Sequence, residues 1–334
     1  MFDNNEEWTK RIETLHKCNY ERAGSFEEEF QNCELVLIKK AEKKKDKILI
    51  ICVVKNDLLR IKKFIDHYRK LGIKSFIFLD NGSTDGTFEY LMSQNDCEIY
   101  QSTDCYSSLR RVVWINKLIS YYGCGFWYVM VDSDEFIFYQ GMEKISISDL
   151  IKYADSKGIY RISGFLLDMY SKGSLFRLEK NEDFIKEYRY FDKKGYDIHN
   201  TNYGVSIIGG PRKRKFGTFN ELAKCPIFKL NQDDIVASSH FLLPRIMSRY
   251  NPIWILIGHY KFINFNDIHK INDAVKNENY ASGSVEYKAY QKEIQRSRTI
   301  VFYDEKISAE LIDSNIFEEL PYVNFPIGDL YEQK

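Results

Sequence analysis

The segment from residue 48 to residue 132 alternates four predicted strands with three segments of helical periodicity, and this alternation restricts the fold more than any other feature. The strands are "ILIICVV" (48–54), "SFIFLD" (75–80), the short "CEIYQS" (97–102) and "FWYVMVD" (126–132), and the first, second and fourth are largely apolar. Continuous apolar runs rich in β-branched residues are typical of strands buried on both faces. The repeated order of strand and helix predicts an α/β fold, with an open, mostly parallel sheet and helices on both of its faces.

The intervening segments support this interpretation. Residues 58–72 place apolar side chains at helical spacing and end in Gly72, a residue suited to a helix C-cap. Residues 83–94 and 108–123 predict the two other helices.

The pattern becomes mixed beyond residue 150. Residues 158–170 predict one long strand or two short ones, and "GVSIIGGPRKRKFG" (204–217) predicts a strand that leads into a basic loop. Residues 1–45 are charge-rich and end in a lysine-rich run, which predicts a small N-terminal appendage. We therefore divide the chain into residues 1–45, a main domain of residues 46–295 (donor-binding half 46–140, acceptor-side half 141–295) and a C-terminal extension of residues 296–334.

Composition excludes several classes of protein. The 334 residues carry 48 basic and 48 acidic side chains, so bulk charge does not favour nucleic acid as a partner. The seven cysteines are odd in number and include no C-x-x-C pair, which argues for reduced thiols and against both a disulfide framework and a cysteine zinc site.

The chain also lacks the marks of export or of membrane insertion. Its first residues are acidic and polar, and the longest apolar run, "PIWILIG" (252–258), is too short to cross a bilayer. We expect a cytoplasmic protein that is at most associated with the inner face of the membrane.

Polar clusters follow three of the predicted strands, and ligands of parallel sheets bind at the carboxyl ends of the strands. The clusters are "KND" (55–57), "DNGSTDGT" (80–87) and "DSDE" (132–135). Their coincidence at one edge of the predicted sheet indicates a binding site there.

The cluster at residues 132–135 places three carboxylates in four positions, which is unfavourable without a nearby cation. Asp132 and Asp134 fall on the same side of an extended chain, because side chains alternate. Two such carboxylates favour Mg²⁺ or Mn²⁺, which bridges the phosphates of a nucleotide. The alternative is an acidic loop tip that binds nothing.

The cluster after the second strand contains two aspartates with different predicted roles. We expect Asp80 to accept a hydrogen bond from a nucleobase or a ribose hydroxyl, and Asp85 to be structural. The alternative is that the whole cluster is a helix-capping turn.

Taken in order, these segments resemble the family 2 type glycosyltransferases of GT-A fold. They are "CVVKND" with "FIDHYRKLGIKSFIFLDNGSTDGT", then "SLRRVVWINKLI", then "WYVMVDSDEFIFY". Within that family they are most similar to a bacterial group whose signature ends D-x-D-E-[FL]. The resemblance covers residues 46–295 and implies a Rossmann-like central sheet with flanking helices and a mixed C-terminal part.

The resemblance also implies an activity. A sugar would pass from a nucleotide-sugar donor, expected to be a UDP-sugar, to a glycan or lipid-linked acceptor in bacterial surface polysaccharide synthesis. It implies Mn²⁺ or Mg²⁺ at Asp132 and Asp134, and a donor site to which we assign Val54, Asn56, Asp80, Arg111 and Asp132. One departure is Asp57, which stands where the group commonly has Glu.

The basic segment 210–217 supplies two further donor-site candidates. Guanidinium groups suit a diphosphate, so Arg212 and Arg214 are predicted to bind it; a solvated hairpin tip is the alternative. His259 is a candidate third metal ligand, with a satisfied core histidine as the alternative. His240 is a weaker candidate for the same role.

An inverting transferase needs a general base, and three carboxylates are candidates. These are Glu135, Asp168 and Glu286, and the sequence does not choose among them. Two other functions remain open. One is a non-catalytic nucleotide-sugar or glycan-binding module of the same fold. The other is a haloacid-dehalogenase-type phosphatase, which the three preceding strand–helix units disfavour.

Overall fold

The computed structural model describes residues 5–42, 46–176, 183–202, 204–248, 251–265, 268–297 and 299–311. Its largest element is a nine-stranded sheet, and three two-stranded sheets lie outside it. The strands are β1 (Val36–Lys39), β2 (Ile48–Val54), β3 (Phe76–Asp80), β4 (Cys97–Gln101), β5 (Trp127–Met130), β6 (Glu135–Phe138), β7 (Arg161–Asp168), β8 (Tyr190–Asp192), β9 (Tyr196–Thr201), β10 (Gly204–Gly209), β11 (Ala223–Lys229), β12 (Ile235–Val236), β13 (Leu242–Leu243), β14 (Trp254–His259) and β15 (Ser308–Glu310).

The order of strands in the central sheet is β1-β4-β3-β2-β5-β11-β7-β14-β6. Strands β2, β3, β4 and β5 run parallel, and β7 pairs parallel with β14. Strand β11 pairs antiparallel with both β5 and β7, so these two also run in the same direction. The predicted α/β class with a mostly parallel sheet is therefore confirmed.

Helices cover both faces of this sheet. They are α1 (Asn5–Lys17), α2 (Ala23–Asn32), α3 (Leu58–Lys70), α4 (Thr87–Met92), α5 (Ser108–Tyr122), α6 (Ile147–Ser156), α7 (Phe184–Glu187), α8 (Gly210–Phe216), α9 (Ile268–Asn277) and α10 (Ala281–Arg296). On β2, Ile48 and Ile50 pack in one core with α3 and α6, and Leu49 and Ile51 pack in the other with α1, α2 and α5. This alternation is the reason for a continuous apolar run, because both faces of the strand are buried.

The N-terminal residues, which the sequence suggests are an appendage, are continuous with the main fold. Helices α1 and α2 bury Trp8, Leu15 and Phe26 in the core beside α5. Strand β1 pairs antiparallel with β4 and forms one edge of the central sheet. The apolar face of each helix is spaced over several turns within a charged segment, so composition alone hides it.

The C-terminal half is mixed, as predicted, but the basic segment differs from the expected loop. Residues 210–216 form the helix α8, with Pro211 in its first turn and Gly217 in the left-handed conformation at its C-cap. Proline at the start and glycine just past the end are typical helix boundaries, and the run of charges obscured them.

The C-terminal extension is described as far as residue 311. Its strand β15 pairs antiparallel with β8, and Phe302 packs with Tyr170 and Phe262 in an aromatic cluster. Residues 312–334 lie outside the described residues. All seven cysteines are free thiols. In the part of the chain that the structure describes, no helix has the length and apolar character needed to span a membrane.

The approach to helix α8 provides a test of this fold. A Cβ added at Gly209 would lie 2.4 Å from the carbonyl oxygen of Gly195 and 2.8 Å from the Cα of Tyr196, and both atoms belong to the backbone. We expect Gly209→Ala to lower the free energy of unfolding by about 1–3 kcal/mol, as overpacking does. Urea denaturation followed by circular dichroism would measure it.

The matched control is Gly24→Ala in helix α2, where the added Cβ would meet no atom within 4 Å. We expect this change to be neutral or to stabilise by up to about 1 kcal/mol, because alanine is the better helix former. Equal effects of the two substitutions would contradict the packing described for Gly209.

Candidate active site

The carboxyl ends of the parallel strands bring together side chains that are far apart in sequence. Val54 at the end of β2 pairs with Asp80 at the end of β3. His259 at the end of β14 pairs with both Asp168 of β7 and Glu135 of β6. All these positions lie at the same edge of the central sheet, because β2, β3, β7 and β14 run in one direction.

The aspartates of the D-x-D motif lie in the connection between β5 and β6. This connection is a turn, closed by a hydrogen bond of 3.0 Å from the backbone N–H of Glu135 to the carbonyl of Asp132. The two aspartates therefore do not alternate along an extended strand as the sequence suggests. Because β5 is central and β6 is an edge strand, the connection crosses the ends of the strands between them.

Asp132 is paired with Arg111 of helix α5, whose Nη2 donates to Oδ1 of the carboxylate. Burial acts to raise the pKa of Asp132, but the charges of Arg111 and Lys224 outweigh it and hold the pKa below its ordinary value. The second oxygen, Oδ2, has no hydrogen-bond donor among the described residues, and 35% of the side chain is exposed.

Asp134 faces His259, with 3.5 Å between Asp134 Oδ2 and His259 Nε2. The other ring nitrogen, Nδ1, lies 2.8 Å from Oδ1 of Asp168. Burial disfavours the charged ring, but these two carboxylates prevail and raise the pKa of His259 to about 9. At neutral pH the imidazole is therefore a cation held between two anions.

Glu135 is paired with Lys224 of β11, and both side chains are almost fully buried. The same carboxylate oxygen accepts the backbone N–H of Asp132 at 3.0 Å, which fixes the turn. Burial raises the pKa of Glu135 above its ordinary value even though Lys224 opposes the rise. Each of the three carboxylates in residues 132–135 thus has a side-chain cation from a distant element.

Asp168 is the junction between His259 and helix α8. Its Oδ2 accepts from Nε of Arg212 at 2.7 Å, and its side chain is 1% exposed. Arg212 also donates from Nη1 to Glu286 of α10 at 2.8 Å, and Glu286 accepts from Lys261 at 3.0 Å. A chain of alternating charges therefore runs from the D-x-D turn to helix α10.

The two arginines predicted to bind a diphosphate lie in different surroundings. Arg212 belongs to the charge chain just described. Arg214 instead makes two hydrogen bonds to Asp192, at 3.0 and 2.9 Å, and a third to the carbonyl of Phe302 at 2.7 Å. These partners hold Arg214 against β8 and the C-terminal extension rather than beside the D-x-D turn.

The predicted base-binding residues meet at the ends of β2 and β3. Asp80 is buried; its Oδ2 accepts the backbone N–H groups of Gly82 and Ser83 at 3.1 Å each, and its Oδ1 has no partner among the described residues. Asn56, with a positive φ of 52°, accepts the N–H of Thr84 at 2.7 Å. Its side chain therefore braces the loop that follows Asp80.

Asp85 has the structural role that the sequence predicts. Its Oδ2 accepts the first backbone N–H of helix α3, that of Leu58, at 3.1 Å. Its Oδ1 accepts the N–H of Thr87 at the start of α4 at 3.0 Å. One carboxylate thus binds the N-terminal ends of two helices.

All three candidate general bases are engaged in ion pairs. Asp168 uses both oxygens, Glu135 is buried against Lys224, and Glu286 binds Arg212 and Lys261. Of the three, Glu286 is the most exposed, at 18% against 1% and 4%. Burial alone would raise the pKa of Glu286, but the positive charges of Lys261 and Arg212 outweigh burial and hold the pKa well below its ordinary value.

Sequence reasoning missed Lys224, Lys261, Arg60 and Ser133, which shape the site. Lys224 and Lys261 are isolated lysines without a motif of their own; strand β11 places Lys224 here, and the segment that follows β14 places Lys261 here. Asp57 pairs with Arg60 one turn further along α3 and accepts from the hydroxyl of Ser133. The spacing of Asp57 and Arg60 at i and i+3 was a readable signal for that pair.

The donor set for a metal ion consists of two carboxylates. No group of three or more His, Cys, Asp or Glu side chains in the described part of the chain is arranged to hold a metal. Asp132 Oδ2 and Asp134 Oδ1 each lack a donor within that part, so this pair fits a cation that takes its other ligands from water and phosphate. His259 Nε2 lies 3.5 Å from Asp134 Oδ2, and its role as a third ligand stays a prediction. His240 is turned to the carbonyl of Ala223 at 3.2 Å.

Comparison with known proteins gives no family assignment. No family model and no curated protein matches the chain. Among solved structures, HddC from Yersinia pseudotuberculosis matches with 9% identity, 67% of this chain, 98% of that chain and a TM-score of 0.32. Mannosyltransferase PcManGT from Pyrobaculum calidifontis, in complex with GDP-Man and Mn²⁺, matches with 11% identity, 87% of this chain, 77% of that chain and a TM-score of 0.31. Similarity at this level carries no inference about activity.

The charge of His259 predicts a pH dependence of stability. Its folded-state pKa of about 9 lies above the ordinary value of 6.5, so its contribution is fully present below pH 6.5 and is lost as pH rises through 9. The shift corresponds to about 3 kcal/mol. We expect the unfolding free energy of the wild type to fall by about that much more than that of His259→Gln between pH 6 and pH 10.

Urea unfolding at both pH values, with a chelator present, would measure this difference. Tyrosine and lysine titrations affect both proteins alike and cancel in the comparison. If both proteins lose the same free energy, the imidazole is neutral in the folded protein.

Proposed function

We propose that the chain is a glycosyltransferase that takes a nucleotide-sugar donor and a glycan or lipid-linked acceptor in bacterial surface polysaccharide synthesis. The observation that carries the proposal is a set of buried polar atoms at the carboxyl edge of the sheet without partners among the described residues. They are Oδ1 of Asp80, Nη1 of Arg111 and Nη2 of Arg212. Buried polar groups are nearly always hydrogen-bonded, so a ligand with complementary groups is the expected partner.

The chemistry of these atoms matches the parts of a nucleotide sugar. Asp80 offers an acceptor, which suits an N–H of a nucleobase or a hydroxyl of ribose. Arg111 and Arg212 each offer an unused guanidinium N–H, which suits the oxygens of a diphosphate. We expect a UDP-sugar, with Val54 and Asn56 beside the base.

The proposed cation is Mn²⁺ or Mg²⁺, held by Asp132 and Asp134, and it would neutralise charge on the diphosphate leaving group. The residues of this chain set up that site before the donor binds. Arg111 fixes one oxygen of Asp132 and His259 fixes one oxygen of Asp134, which leaves the second oxygen of each carboxylate available.

On the acceptor side we propose Glu286 as the group that faces the hydroxyl, because it is the most exposed of the three candidate bases. Asp168 and Glu135, which are buried in ion pairs, are then positioning residues. Asp168 orients His259 and Arg212, and Glu135 fixes the D-x-D turn through the backbone of Asp132.

One observation favours a second function. Every candidate base is already occupied by a cation, as expected for a nucleotide-sugar-binding module that performs no transfer. The two functions differ in turnover, because a binding module releases no nucleoside diphosphate.

The test begins with a screen of nucleotide sugars for thermal stabilisation, with and without Mn²⁺. The correct donor is expected to raise the melting temperature by mass action, more so with the cation. We expect Asp80→Ala to weaken binding of the corresponding nucleoside diphosphate by about 1.5–3 kcal/mol in titration calorimetry, the range for a hydrogen bond to a charged group. Asp66→Ala, at an exposed position on helix α3, is the control.

Release of nucleoside diphosphate from that donor would then separate enzyme from binding module. We expect release by the wild type and none by Asp134→Asn. Binding without release would leave the binding module as the function. Failure of every nucleotide sugar to stabilise the protein would reject both.

Helix α8 gives a prediction with an internal control. Arg212→Lys keeps the charge beside Asp168 but loses the planar fork and the unpaired N–H. If that N–H donates a hydrogen bond to the leaving diphosphate as negative charge develops on it, kcat should fall at least about tenfold with little change in donor affinity.

Arg214→Lys, two residues along the same helix, should leave both constants within about twofold, because Arg214 is held by Asp192. Circular dichroism would check that both variants are folded. Equal losses in the two variants would contradict the separate roles assigned to these arginines.

A further inference from the structure

Strand β1 forms an edge of the central sheet that no described strand covers. It pairs with β4 on one side, and its other side carries the unpaired N–H and C=O groups of an edge strand. Val36, Leu37 and Ile38 are 60%, 37% and 39% exposed, and they are consecutive. Three adjacent exposed aliphatic residues on an open edge are suited to pairing with another strand.

The charges on either side of β1 have opposite signs. Residues 27–34 contain four glutamates and no basic residue, and residues 40–47 contain five lysines against two acidic residues. The net charges are therefore −4 before the strand and, from five minus two, +3 after it. When two copies of β1 run antiparallel, the acidic segment of each copy therefore lies beside the basic segment of the other.

The charged residues nearest to the two ends of β1 differ in how far local contacts hold them. Glu27 lies 3.2 Å from His16, and Glu29 lies 3.2 Å from Arg110. By contrast Glu34, two residues before the strand, is exposed.

At the other end, Nζ of Lys39 is bound to the carbonyls of Met92 and Gln94, at 2.6 and 2.7 Å. Lys40, the next residue, is exposed. Glu34 and Lys40 are thus exposed at opposite ends of β1, where a partner strand can reach them.

We propose that β1 pairs antiparallel with β1 of a second copy of this chain, so that two sheets continue across a two-fold axis. Antiparallel pairing places Glu34 of each copy beside Lys40 of the other, and it does so twice because the contact is isologous. Parallel pairing would instead place lysines beside lysines. The self-complementary charge order therefore selects both the partner and the direction.

Four residues of strand bury less surface than the roughly 1,200–2,000 Å² of a stable interface, so the flanking segments must contribute. The dimer is accordingly expected to be reversible and to weaken with salt. Strand β1 is at the opposite end of the sheet from β7 and β14, so the association does not depend on the proposed function.

Sedimentation velocity of the full chain over a range of concentrations tests the proposal. We expect a species of twice 39.6 kDa whose fraction rises with concentration and falls with added salt. Glu34→Lys and Lys40→Glu should each raise the dissociation constant about tenfold, because each reversal acts twice across the axis. The double variant should restore the wild-type constant to within about threefold.

The control is Lys194→Glu in the turn after β8, which should leave the dissociation constant unchanged. Circular dichroism would confirm that all variants are folded. A wild type that stays monomeric throughout, or a double variant that is no tighter than the single ones, would overturn the proposal. A monomer that sediments with phosphatidylglycerol vesicles would assign the strand to a membrane surface instead, and would overturn it equally.

Discussion

The arrangement of the site depends on the pairing of three neighbouring carboxylates with three side-chain cations from distant elements. Arg111 forms an ion pair with Asp132, and Lys224 forms one with Glu135. His259 serves Asp134 and becomes a cation because a second carboxylate lies on its other side. Without these partners three like charges within four residues would repel one another at a buried edge. The cations that offset this repulsion come from helix α5 and from strands β11 and β14.

The same pairing bears on the role of a metal ion. Three carboxylates in four positions suggest that a divalent cation balances them, but the protein already supplies one positive charge to each. A cation at Asp132 and Asp134 would therefore not be needed to hold the turn together. Its proposed role is limited to the charge that the diphosphate brings, which is consistent with two carboxylates that each keep one oxygen available.

The sequence pattern was sufficient to predict the helices and strands whose formation depends on neighbouring residues in the chain. Strand β2 is readable because both of its faces are buried, and helix α5 because its apolar residues recur at helical spacing. The ends of parallel strands must share one edge, so the position of Asp80 and of the D-x-D motif could be inferred from the order of elements. The helix at residues 210–216 was missed because a run of charges outweighed its boundary residues Pro211 and Gly217.

The sequence by itself determined the fold class and the edge of the sheet at which the polar clusters lie, and it supplied the carboxylates for which a ligand is proposed. Only the tertiary structure decided what each carboxylate contacts, because an ion pair such as Glu135 with Lys224 joins residues 89 positions apart. It also separated Arg212 from Arg214, which are identical in chemistry and two residues apart. Their directions differ around helix α8, and the residues that receive them come from β7, β8 and α10, elements whose meeting no local pattern encodes.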